Sequence, residues 1–150
     1  MNAIVFFGKT GYNINVVIDI FAKACFESGL QVKSNYNERL QQKGADFQGF
    51  IKVDKEPIIS KDFPENAQFG LVLGGREKES VKFLEEKANV ITNGDKEIFK
   101  KVKAKTNIVN QNGVEFLCGA LAKMTGMTSL KNLKKVSDRK GFEEGFKAIK

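Results

Sequence analysis

Ala3-Ile4-Val5-Phe6-Phe7 is an apolar run with no polar side chain, and it is followed at once by Gly8-Lys9-Thr10-Gly11-Tyr12-Asn13. A run of that kind reads as a strand buried on both faces, the usual position in a parallel sheet. The next stretch, 14–29, places Ile14, Val17, Ile18, Phe21, Ala24 and Cys25 at helical spacing, with Val16 and Ile20 widening the apolar face. Ser28-Gly29 marks its end. Strand, glycine turn and buried helix in that order restrict the chain to folds that wind helices onto a sheet.

The rest of the sequence continues the alternation. Strands are expected at Leu30 to Ser34, Phe47 to Val53, Phe69 to Leu73, Val90 to Thr92 and Thr106 to Asn110. Residues 35–46 are polar and read as a loop, and Asp54-Lys55-Glu56-Pro57 reads as a turn. Charged helices are expected over Glu77 to Ala88, with Val81, Leu84 and Ala88 inward and Phe83 on the flank, and over Asp95 to Lys105, with Ile98, Phe99 and Val102 inward. Gly113 to Thr125 is a strongly apolar helix capped by Gly126, and Ser129 to Val136 and Phe142 to Ile149 are short basic helices. The pattern predicts an α/β fold of three layers, a mostly parallel sheet with helices on both faces, in a single domain spanning 1–150. Ligands of such sheets bind beyond the carboxyl ends of the strands.

Composition narrows the chemistry. With 150 residues, 41% hydrophobic and 13 Phe, the chain is a folded globule. It contains no His, which removes the usual neutral-pH base and the commonest metal ligand. Cys25 and Cys118 form no paired motif and sit in helical apolar patterns, so both read as buried free thiols; neither cluster nor zinc ligation is expected. No apolar run is long enough to span a bilayer, and the amino terminus lacks the basic region of a signal peptide, so a cytoplasmic protein without a membrane partner is expected. Asp54, Glu56 and Asp62 have no neighbour that would tune them, and no nucleophile–base pair is present, so no catalytic residue is assigned.

The charge of +7 is uneven: residues 1–100 carry 14 basic and 14 acidic side chains, residues 101–150 carry 11 and 4. Solvated helix faces account for such an excess, as does a surface facing an acidic partner or phosphorylated ligand. Without aromatic interleaving or a binding motif, nucleic acid is disfavoured.

The sharpest candidate site is Gly8, Lys9, Thr10, Gly11 and Asn13. Glycine admits a close backbone approach, Lys9 adds a cation, and Thr10 or Asn13 is placed to cap the helix beside an anion. The same residues also make a plain strand-to-helix turn. They fit neither the dinucleotide fingerprint, which wants Gly where Thr10 and Asn13 stand, nor a P-loop. Lys43 and Gly44 form a weaker anion candidate, and Gly74-Gly75-Arg76 follows a core strand toward the same edge, read first as a loop leaving that strand.

Taken in order and spacing, several segments resemble the gamma subunit or domain of the 2-oxoacid:ferredoxin oxidoreductases, such as those acting on pyruvate or 2-ketoisovalerate. Gly8 and Gly11 match the family's opening Gly-x-Gly-Gly-Gln-Gly turn, while Thr10, Tyr12 and Asn13 depart from it. Lys43-Gly44-Ala45 stands where the family has Arg-Gly-Gly, fourteen residues before Pro57-Ile58. Asp54 to Ile58, Leu117 to Leu121 with Thr125-Gly126, and Phe142 to Phe146 resemble its turn, late helix and closing segment. The resemblance implies a divergent, non-catalytic subunit beside alpha and beta, or alpha, beta and delta, subunits, helping to cover the coenzyme A site. Thiamine diphosphate and iron–sulfur clusters would lie elsewhere in the complex, which would pass electrons to ferredoxin. The departures leave a second expectation: a stand-alone paralogue acting as a small-ligand or anion-binding module.

Overall fold

The computed structural model describes residues 1–37 and 44–150. Among these, six strands form one sheet in the order β2-β3-β1-β4-β5-β6. The strands are β1 (Asn2–Lys9), β2 (Gln31–Tyr36), β3 (Asp46–Asp54), β4 (Ala67–Val72), β5 (Leu84–Thr92) and β6 (Lys105–Ile108). β1, β4, β5 and β6 run parallel, and β3 is antiparallel to both β1 and β2. The sheet is therefore mixed and mostly parallel, and the fold is α/β.

Central position explains the apolar run. β1 is paired on both edges, and Ala3 through Phe7 are all buried. Alternation then divides the core. Ile4 and Phe6 face one side with Ile51, Leu71 and Ile91; Ala3, Val5 and Phe7 face the other with Val72 and Val90.

The first side is covered by helices α1 (Ile14–Glu27), α3 (Val114–Thr125), α4 (Leu130–Val136) and α5 (Phe142–Ala148). The apolar face expected for α1 is the buried one: Ile14, Val17, Ile18, Phe21, Ala24 and Cys25. α3 and α5 touch through their backbones. A Cβ on Gly119 would lie 1.8 Å from the Phe142 carbonyl oxygen, and one on Gly145 would lie 1.8 Å from that of Phe116. Gly126, in the left-handed region at φ 66°, ends α3 as expected, and the Ser129 side chain caps α4 by accepting from the Asn132 N–H.

The second side is covered more thinly, by the short α2 (Glu77–Val81), a 3-10 helix (Glu97–Val102) and the loop carrying Phe63. Here one expectation fails. The helix expected over Glu77 to Ala88 stops at Val81, and Leu84 to Ala88 belong to β5. Phe83 is drawn against Phe7 and Phe63, at ring distances of 5.6 and 5.0 Å. The Phe83 carbonyl accepts from the Ala67 N–H, opening the β4–β5 pairing. Residues 85–88 bulge where the register shifts, with Lys87 at φ 66°. Tertiary capture of one aromatic outweighs a helical spacing of only a few residues. The expected charged helix near Asp95 to Lys105 is the 3-10 helix, with Phe99 buried.

Both cysteines are free and buried. Burial pushes the Cys25 thiol up to about 12 and Cys118 higher still, so neither is a reactive thiolate near neutral pH. Among the described residues no helix is long and apolar enough to cross a membrane.

Candidate functional site

β1 leaves the sheet through α1 toward β2 on one side, while β4 leaves through α2 toward β5 on the other. Their carboxyl ends therefore flank the point where the winding reverses, the usual place for a ligand in an open α/β sheet. Gly8 to Asn13, Gly44 to Phe47, Gly74 to Arg76 and Asn93 to Asp95 meet at this edge.

The loop after β1 is tightly tied. Lys9 Nζ donates to Asp46 Oδ1 at 2.5 Å. The Thr10 N–H donates to the Ala45 carbonyl at 2.8 Å, and the Thr10 hydroxyl accepts from the Ala45 N–H at 3.0 Å. Gly44 donates back to the Thr10 carbonyl. Gly44 thus lies beside the loop after β1, whereas Lys43 lies outside the described residues.

Two expectations at this loop change. Asn13 occupies the N-cap of α1 at φ 58°, but neither it nor Thr10 caps the helix through a side chain. The left-handed turn points the Asn13 backbone into the helix start, and the Thr10 hydroxyl is held by Ala45. Gly11, at φ 108°, has open space around it, and this is the position where glycine is required. Gly8 has an ordinary backbone angle; there a Cβ would meet Ile14 Cδ1 at 2.3 Å, so the end of that side chain would have to shift.

Arg76 is the residue that sequence reasoning undervalued. Its guanidinium is buried and donates from Nη1 to the carbonyls of Gly8 and Phe47, both at 3.0 Å. It stacks over the Phe7 ring at 5.3 Å and lies 4.0 Å from Asp46 and 3.8 Å from Glu79. Its Nε finds no hydrogen-bond acceptor among the described residues. Glu77 is also buried, accepts from the Asp95 N–H at 3.3 Å and lies where a Cβ on Gly94 would stand. The available signal was Gly74-Gly75 (φ 68° and 77°), which lets the chain reverse after β4 and send the next two charges inward. The Tyr12 ring and the Lys9 stem pack across Gly74, at 3.1 Å from a Cβ placed there.

Electrostatics follow from this packing. The Lys9 hydrogen bond, with Arg76 nearby, holds the Asp46 carboxyl below its ordinary 3.8. The edge is therefore an internally compensated cluster, Lys9 and Arg76 against Asp46 and Glu79. An incoming oxyanion would compete with Asp46 for Lys9. Among the described residues no group of three His, Cys, Asp or Glu is placed to hold a metal ion, so a cluster or structural metal has no ligand set here.

An open α/β sheet with this switch point is shared by many proteins, and solved structures narrow it. No protein-family model matches the sequence, and no curated protein matches it by sequence. By shape, the chain is similar to pyruvate oxidoreductase subunit PORC from Thermotoga maritima, with a TM-score of 0.71 at 20% identity over 98% of this chain and 89% of that one. It is similar to the gamma subunit of the keto/oxoacid ferredoxin oxidoreductase from Geobacter sulfurreducens PCA, with a TM-score of 0.72 at 17% identity over 99% and 98%. A third match is the 2-oxoglutarate:ferredoxin oxidoreductase from Magnetococcus marinus, solved with 2-oxoglutarate, coenzyme A and succinyl-CoA bound. Its TM-score is 0.77 at 16% identity, covering 99% of this chain and 29% of that one. The resemblance stated from the sequence is thus met by a shared fold over nearly the whole chain.

Proposed function

We propose that this chain is a gamma-type subunit of a 2-oxoacid:ferredoxin oxidoreductase, one domain across all 150 residues, that acts in a complex and not alone. The observation that carries the reading is end-to-end coverage: the fold accounts for 99% of this chain and 98% of a separate gamma subunit. Iron–sulfur clusters and thiamine diphosphate would reside on alpha, beta or delta partners. Ferredoxin would meet the complex, and the cytoplasm would house it.

Within that complex the turn of Gly8, Lys9, Thr10, Gly11 and Asn13, with Lys43 and Gly44 from the segment before β3, is the candidate cover for coenzyme A. Coenzyme A would bring phosphate groups; the chain would supply Lys9 and the amino end of α1, which no side chain caps. The Lys9–Asp46 bond opposes that role; the alternative is a stand-alone divergent paralogue acting as a small-ligand or anion-binding module.

Affinity capture of the tagged chain from native extract, with mass spectrometry of what it retains, tests the main reading. Thiamine- and cluster-bearing subunits are expected; their absence overturns it. In the captured complex, Lys9→Ala should weaken coenzyme A binding by about tenfold, the worth of one charge-assisted hydrogen bond. Unchanged affinity removes Lys9 from the site.

A further inference from the structure

The opposite, amino-terminal end of the sheet breaks a rule that the carboxyl end obeys. Lys33 on β2 and Lys52 on β3 are direct cross-strand partners, and their side chains share the thinly covered face. Like charges placed so are destabilising unless something neutralises them. Lys52 is 3% exposed, yet neither lysine forms an ion pair among the described residues.

What the two ammonium groups touch is neutral. Lys33 Nζ donates to the carbonyls of Ile58 and Ile59 at 2.9 and 3.3 Å. Among the described residues Lys52 Nζ reaches only the Ser60 carbonyl, at 3.4 Å, and it sits 5.3 Å from the centre of the Phe50 ring. An ammonium has three donors, so Lys52 leaves donor capacity free toward the space beside it. A cavity of about 360 Å3 adjoins it, lined by Lys52 together with Ser60, Asn66 and Gln68. Asp62 and Glu65 also border it, but both are exposed and neither pairs with either lysine.

We propose that this cavity binds the oxyanion group, phosphate or carboxylate, of a small molecule, with Lys52 as its principal ligand and Lys33, which does not itself line the cavity, as a second positive charge on the neighbouring strand. The loop over the site, held by the Lys33 and Lys52 contacts to 58–60, forms its wall. Buried cations gain most from a partner that supplies both charge and hydrogen-bond acceptors, and a tetrahedral or planar oxyanion supplies both. The site lies at the other end of β1 from Lys9, so it is independent of the coenzyme A reading.

The test is a titration of the full chain with inorganic phosphate and, separately, acetate, at constant ionic strength set by chloride. Amide and lysine Nζ resonances are followed by NMR. Saturable shifts at Lys52, Ser60 and Gln68 are expected, weakened about tenfold or more in Lys52→Met and kept in Lys9→Ala. The stronger response, phosphate or acetate, identifies the group that the site takes. Absence of a saturable shift at these residues overturns the proposal, as does an unaltered response in Lys52→Met. A response confined to residues 8–13 and lost in Lys9→Ala also overturns it, while supporting the anion role of that turn.

Discussion

The two ends of the sheet handle charge in opposite ways. At the carboxyl end, where a glycine turn advertises a site, Lys9 and Arg76 stand against Asp46 and Glu79 as a compensated set, and the Tyr12 ring packs across Gly74. At the amino end, where no motif stands, Lys33 and Lys52 are left with carbonyls and an aromatic ring. A motif thus marks where the backbone must bend, while the charges without an ion-pair partner stand at the other end of the sheet. In one chain these need not coincide.

Arg76 should give the largest response. Arg76→Met removes the donor to two carbonyls at the β1–β3 margin and strips Asp46 and Glu79 of a neighbouring cation. A loss of about 3 kcal/mol is expected in urea unfolding. Lys52→Met should move the other way, stabilising by about 1 kcal/mol, because it replaces an unpaired buried cation by an apolar side chain of similar length. If both variants lost stability equally, the contrast between the ends would collapse.

The smallest effect concerns acid. The folded Asp46 carboxyl titrates below its ordinary 3.8 because the Lys9 hydrogen bond and the Arg76 charge favour its ionised form. The unfolded chain therefore takes up that proton first. The stability from this pairing is complete above the ordinary carboxylate range and is lost as pH falls through the lowered value. Asp46→Asn should flatten part of the stability slope between about pH 5 and pH 2, followed by urea midpoints. An unchanged slope would show that the carboxyl-end set contributes nothing to acid stability.

How much was legible varies by element. α1 was readable because its apolar positions are numerous and strictly periodic, and β1 because five consecutive apolar residues suit only a doubly paired strand. Residues 77–88 misled because Val81, Leu84 and Ala88 keep helical spacing while Phe83 belongs to the Phe7–Phe63 cluster. At the site, the glycines were visible but the Thr10 bond to Ala45 and the reach of Arg76 back to Gly8 were not, since both join residues far apart in sequence.

The sequence by itself determined the alternation of strands and helices, the burial of both thiols, and the absence of histidine chemistry; each follows from local spacing or residue type. Only the tertiary structure decided the antiparallel placement of β3, the early stop of α2 and which lysines found counter-charges. Those outcomes depend on strand register and long-range contact, which bring charges together without regard to their distance along the chain.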